Sequence, residues 1–161
     1  MNMFGFLWSL VRLVFRVAIL LLALGFILNW WTGRSLRHAE FLKGSVPNPA
    51  LDGFYKGSAS FYTGSWRGKK FDATNLSGIN VFGSNDTTKE RFPFKTSTGR
   101  SVGDSELTVL KIDYDIQQNP FWLRPILDEL VQVSPGRYLG TMNLRLIPGF
   151  PFRVVYFELN K

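Results

Sequence analysis

Residues 107–146, LTVLKIDYDIQQNPFWLRPILDELVQVSPGRYLGTMNLRL, hold the most sharply specified pattern in the chain. From Leu107 to Ile116 the side chains alternate. Thr108, Leu110, Ile112, Tyr114 and Ile116 share one face, and Val109, Lys111, Asp113 and Asp115 the other, which is the period-2 signature of a β-strand. Asn119 followed by Pro120 has the form of a helix start, and Pro125 disfavours helix at Arg124, so the pattern predicts one turn, a kink and a second turn through Leu130. Glu129–Val133, a Ser-Pro-Gly turn at 134–136, and Arg137–Leu146 read as a hairpin. In its second arm Tyr138, Met142, Leu144 and Leu146 oppose Leu139, Thr141, Asn143 and Arg145.

Working outward, 148–151 forms a proline corner and 152–159 a last strand that is apolar on both faces. Upstream, GFYKGSASFYTGSW, GKKFDATN, GINVFGSND and RFPFKTSTGR are strand-length runs bounded by turn residues, with no helical pattern between them. That texture predicts an antiparallel meander. About seven or eight strands and one short helix over 53–161 would curl into a small closed barrel, which removes exposed edges.

The N-terminus differs in kind. Residues 4–31 are apolar apart from Ser9, Arg12, Arg16 and Asn29. Residues 7–31 are long enough to cross a bilayer, which takes about 20 residues as a helix. Arg12 and Arg16 share a helix face and can snorkel to one headgroup layer, while Trp8, Trp30 and Trp31 stand where interfacial anchors stand. The sequence is therefore read as a transmembrane anchor over 1–31, a juxtamembrane linker over 32–52 with one helical turn around Leu36–Leu42, and a barrel domain over 53–161. A cleaved signal peptide fits less well, because bulky tryptophans occupy the place of a small-residue cleavage site. An in-plane amphipathic helix or a buried core helix is the third alternative. Positive charge on the two sides nearly balances, with a lean towards an uncleaved signal anchor that exports the domain.

Of the net charge of +7, +4 lies in residues 1–49, beside the apolar run, where anionic lipids would attract it. The folded domain carries too little excess for a nucleic-acid surface. There is no cysteine, and the single histidine, His38, precedes the domain, so thiol chemistry, a His-based triad and a multi-His metal site are all excluded there. No phosphate-binding loop, dinucleotide fingerprint or calcium loop is present, and no cofactor is expected.

Gly64-Ser65-Trp66-Arg67-Gly68 places a glycine two residues before a tryptophan. Ile112-Asp113-Tyr114 and Arg153 on the last strand are further marks. Together they resemble the lipocalins and the wider calycin superfamily, whose early strand carries Gly-x-Trp, whose second motif is Thr-Asp-Tyr, and in which an arginine of the last strand covers the tryptophan. Ile112 stands in place of the threonine, and the expected helix precedes the last strands instead of following them. The run GSWRG, the Asp113–Tyr114 pair, Pro125-Ile-x-Asp128 and Leu139-Gly140-Thr141-Met142 also resemble a group of small bacterial Gly-x-Trp-x-Gly domain proteins. Both resemblances imply a lipocalin-like barrel and no particular activity.

Three constellations are candidates for a site. Trp66 either plugs the core or lines a pocket, with Phe82, Tyr114, Trp122, Tyr138 and Arg145 as further ligand-binding candidates. The aromatic residues Phe54, Tyr55, Phe61, Tyr62, Phe71, Phe82, Phe92 and Phe94 suit a filled interior and a lined one equally. The faces bearing Lys111, Asp113 and Asp115, and Thr141, Asn143 and Arg145, look either into the lumen, where buried charges must pair or meet a ligand, or outward, as half-exposed sheets ordinarily do. Arg124 and Asp128 form an i,i+4 pair on the broken helix, or part of a lid with Phe121 and Trp122 beneath. Asp113 and Asp115 would act as a catalytic dyad only if burial separated their pKa values, and the balance favours a binding protein over an enzyme. The expectation is a membrane-anchored barrel for a small hydrophobic or amphiphilic molecule such as a lipid, pigment or isoprenoid. The alternative is a ligand-free accessory factor that docks on a membrane protein complex.

Overall fold

The structure, a computed structural model, describes residues 3–59, 64–84 and 87–161. Eight antiparallel strands close into a barrel in simple sequential order, β1 Gly53–Ala59, β2 Trp66–Asp72, β3 Ser77–Gly83, β4 Thr88–Arg100, β5 Thr108–Asp113, β6 Ile126–Ser134, β7 Arg137–Ile147 and β8 Phe150–Asn160. β8 closes on β1, with Lys56 opposite Asn160 and Ala59 opposite Phe157. Closure pairs every strand with a neighbour on both sides over part of its length, which removes most of the sheet edge that could aggregate.

The alternation read from the sequence sets the two faces. Leu110, Ile112 and Tyr114 point into the barrel with Tyr138 and Phe157, whereas Val109 belongs to a second cluster on the outer wall with Val131, Leu139 and Tyr156. One half of the interior is packed with aromatic rings. Tyr55 meets Phe71 and Tyr138 edge-on at 5.6 and 5.4 Å, and Phe94 meets Phe71 and Tyr114 at 5.4 and 5.7 Å, the T-shaped geometry that aromatic quadrupoles prefer.

Gly68 lets β2 enter that packing. It sits at a register shift between Trp66 and Gly68, has φ +140°, and a Cβ there would fall 2.0 Å from the Tyr55 carbonyl oxygen. Gly68→Ala is therefore expected to cost at least about 2 kcal/mol of stability, read as a lowered unfolding midpoint. An unchanged midpoint would show that β2 has another route past β1.

The helix expected over 119–130 does not form. Residues 120–125 make successive turns, Leu123 N–H donating to Pro120 O and Ile126 N–H to Leu123 O, both at 2.9 Å. From Ile126 the chain is strand β6. Pro125 has no N–H to give a helix and pushes Arg124 towards extended backbone. Asn119 does not cap a helix either, since its side-chain N–H groups donate to Pro93 O and Tyr114 O at 2.8 and 2.9 Å. Covered on both faces, β6 shows a nearly continuous buried run that alternation alone does not reveal.

The long helix α1 covers Met3–Gly33, and its apolar span, Gly5–Gly33, is exposed almost throughout. The short helix is α2, Leu36–Phe41, started by Ser35, whose hydroxyl accepts from His38 N–H at 3.1 Å. Residues 36–51, read as linker, lie along the barrel wall. Phe41 is fully buried among Val109, Val131, Leu139 and Tyr156, Ser45 bridges to Gln132, and Leu51 enters the inner core.

Candidate functional site

The other half of the barrel interior is a cavity of about 360 Å³, open at one end. Its walls are Trp66, Phe82, Phe92, Phe157, Met142 and Val155, and its floor is Lys69, Asn80, Tyr114 and Asp128. Period 2 carries these residues inward. Trp66, Lys69 and Phe71 come from β2 across the bulge at Gly68, and Asn80 and Phe82 alternate on β3. A second register shift, between Ile79 and Asn80, leaves Phe92 at φ +59° on the facing strand and turns its ring to the cavity, where it meets Phe82 edge-on at 5.7 Å.

The floor is a saturated network of buried polar groups. Lys69 Nζ donates to Asp128 Oδ2 at 2.9 Å, to Asn80 Oδ1 at 3.0 Å and, in a short contact, to the Tyr114 hydroxyl. Asn80 Nδ2 reaches Tyr114 Oη at 2.9 Å and Phe92 O at 3.1 Å, Tyr114 donates to Asp128 at 3.2 Å, and Trp66 Nε1–H donates to Asn80 Oδ1 at 3.1 Å. Four aromatic rings, those of Trp66, Phe94, Tyr114 and Phe157, lie 5.1–5.6 Å from the ammonium, within cation–π reach. Burial lowers the Lys69 pKa from its ordinary value, and Asp128 partly restores it. Burial, reinforced by the Asp128 charge, lifts Tyr114 well above an ordinary tyrosine, so it stays a neutral hydroxyl. The network sums to zero charge with its donors engaged. With those donors engaged, what the floor still offers is acceptor capacity at the Asp128 carboxylate, so it suits a neutral hydroxyl donor at the bottom of an apolar chamber and disfavours an anion.

Of the sequence-derived candidates, Trp66, Phe82 and Tyr114 line the cavity and Asp128 forms its floor. Trp122 stands outside the lining, edge-on to Phe92 at 5.8 Å. Tyr138 packs in the aromatic half against Tyr55. Arg145 is on the outer wall, bonded to Asp113 at 2.6 and 3.0 Å, and Arg124 pairs with Asp115 at 2.6 Å, not with Asp128. Asp128 turns inward because its segment is strand. Asp113 and Asp115 thus each have their own arginine. Burial alone would raise the Asp113 carboxyl, but the bonded Arg145 outweighs it and holds the pKa below the usual value. Phe61 and Tyr62 lie outside the described residues. Lys69 and Asn80 were legible only by counting: each is two positions from an inward aromatic, Phe71 and Phe82. Among the described residues no group of three His, Asp or Glu side chains could hold a metal ion.

Arg153 does not cover Trp66. A register shift between Val155 and Arg153 interrupts the alternation of β8, and the Arg153 guanidinium instead joins an outer-wall cluster beneath α2. It bonds Asp104 and lies 3.2 Å from His38 Nδ1; the same nitrogen is 2.8 Å from the Tyr156 hydroxyl, and His38 Nε2 is 3.4 Å from Asp104. Nearby, Glu129 is fully buried and accepts from Ser101 Oγ and Val102 N–H, both at 2.7 Å; burial raises its pKa.

Burial and Arg153 lower the His38 pKa from 6.5, with Asp104 opposing them. The unfolded chain therefore takes up this proton first. Stability from His38 is whole above about pH 6.5 and is lost as the pH falls through the folded-state value. His38→Gln is expected to flatten the decline in melting temperature between about pH 7 and about pH 5. An unchanged slope would place the decline on the carboxylates.

The fold and site together define an eight-stranded closed antiparallel barrel with a blind cavity over a buried polar floor. No protein-family model matches the chain, and no curated protein matches it. Among solved structures, a crystal structure of a protein from Thermomonospora curvata is similar, with a TM-score of 0.52, 16% sequence identity, and coverage of 75% of this chain and 82% of that one. That likeness is one of fold.

Proposed function

We propose that the chain is a membrane-anchored, lipocalin-like binding protein that holds one small, neutral amphiphile, such as an isoprenoid or lipid bearing a hydroxyl, in the barrel cavity. The observation that carries this is the pairing of apolar walls with a neutral, hydrogen-bonding floor. Ligand sites are mostly apolar, with few placed polar groups, and commonly measure about 300–1,000 Å³. The Gly-x-Trp resemblance agrees, since Trp66 lines the chamber and its indole N–H helps orient Asn80.

Retention of the apolar helix is supported by its packing. Gly25 lies against the Phe152 ring, and the Asn29 amide donates to Pro151 O at 2.9 Å and accepts from Arg153 N–H at 2.7 Å. It thereby serves backbone groups of β8 beyond its last partner on β1, Ala59 opposite Phe157. A cleavage that removed α1 would strip those groups of their partners, which favours a retained anchor over a cleaved signal peptide.

The full chain, extracted gently from membranes into lipid-preserving nanodiscs and examined by native mass spectrometry, should retain one neutral ligand per chain. A clean apo mass would overturn the carrier reading and transfer the role to docking on a membrane protein complex.

A further inference from the structure

We infer that the cavity mouth faces the bilayer and that its rim, through Phe121, Trp122 and Leu146, rests in the interfacial layer of the leaflet, so that the ligand passes between lipid and barrel without crossing water. The inference rests on the anchored, ligand-binding reading above and adds where the ligand comes from.

The end of the barrel is fixed by topology. The cavity is lined by Ala59 from the end of β1, Trp66 from the start of β2, Phe82 from the end of β3 and Ile126 from the start of β6. The opposite end holds the start of β1, the β2–β3 turn and the Ser134–Arg137 turn.

The apolar helix leaves from the mouth end. Its contacts with β8 through Gly25 and Asn29 are at Pro151, Phe152 and Arg153, where β8 begins. The chain then descends the outer wall: His38 reaches Tyr156, Arg37 pairs with Glu158, Ser45 bridges to Gln132, and Leu51 enters the core at the far end. Residues 6–24 therefore project from the rim that surrounds the mouth, and all of them are exposed.

The same rim carries large apolar side chains without cover. Phe121 is 84% exposed, Trp122 56% and Leu146 48%. Phe121 and Trp122 come from the β5–β6 turns and Leu146 from the end of β7, so they are separate elements brought to one end by closure. Aromatic rings of this kind favour the membrane–water interface. Arg124 and Arg145 flank Phe121 as ion pairs with Asp115 and Asp113, and Lys89 and Arg91 stand exposed at the start of β4, where anionic headgroups would attract them. Trp122 also touches Phe92, a wall of the cavity, so the rim is continuous with the chamber.

The chain contains no cysteine, so single cysteines can report position. Leu20→Cys, Phe121→Cys, Leu146→Cys and Leu76→Cys, each labelled with NBD in the full chain, are compared in nanodiscs of phosphatidylcholine with a minority of phosphatidylglycerol, with and without doxyl-labelled lipid. All four positions are exposed; Leu76, 61% exposed, is the control at the far end. The expected result is blue-shifted, lipid-quenched emission at 20, 121 and 146, and red-shifted, unquenched emission at 76. Quenching at 20 with water-like emission at both 121 and 146 would overturn the rim proposal and leave the anchor standing. Water-like emission at 20 would remove the anchor reading and the rim proposal with it.

Discussion

Asp128→Leu is expected to destabilise the barrel by about 3–5 kcal/mol, because it leaves the Lys69 ammonium buried without its counter-charge. Both groups lie almost wholly inside, 2.9 Å apart. A loss of that size is a large share of the roughly 5–15 kcal/mol that holds a typical domain together, and it should lower the thermal midpoint by roughly 10–20 °C. Lys69 would respond by giving up its proton, since burial already lowers its pKa. The double variant Lys69→Met/Asp128→Leu should recover most of the loss, because an apolar pair of similar volume often matches a buried ion pair. Far-UV circular dichroism melts of the three chains check this. Equal midpoints for the parent and the single variant would mean that the floor is more hydrated than its geometry implies.

The second large effect concerns binding alone. Met142→Trp should place an indole in the chamber and reduce ligand retention at least tenfold, about 1.4 kcal/mol or more, with little change in melting temperature. Filling existing space avoids the strain of overpacking a dense core. The comparison is of ligand occupancy by mass in the parent and in the variant. Undiminished occupancy would put the ligand elsewhere, for instance along the exposed helix.

These two variants separate what was legible in the sequence from what was not. The β5 alternation put Ile112 and Tyr114 on one face and Lys111 and Asp113 on the other, because a strand with one solvated face displays its period directly, but which face looked inward stayed open until the structure placed Ile112 and Tyr114 in the core. Closure was legible too, from many short strands and no helical pattern between them. The β6 segment misled, because a strand covered on both faces has lost its polar alternation, and Asn119-Pro120 imitated a helix start while serving a turn. Asp128 consequently passed for a surface partner of Arg124. Arg145 looked like a ligand anchor because its face could not be assigned, and Arg153 looked like a cover for Trp66 because a bulge is invisible to period counting. Lys69 was hidden for another reason: next to Lys70 it reads as a solvated pair, and only the inward position of Phe71 shows which lysine is buried. The stretch 36–51 carries too little periodicity to reveal a strap held by Phe41 and Leu51.

Photo-crosslinking tests the central claim most directly. A neutral long-chain alcohol bearing a tail diazirine is added to membranes that contain the full chain, and after irradiation the adducts are mapped by peptide mass spectrometry. The account predicts adducts on the cavity walls, at Phe82, Phe92, Met142, Val155 or Phe157, and their loss in the Met142→Trp variant. Adducts confined to residues 5–33 and the outer wall, unchanged by that variant, would contradict it.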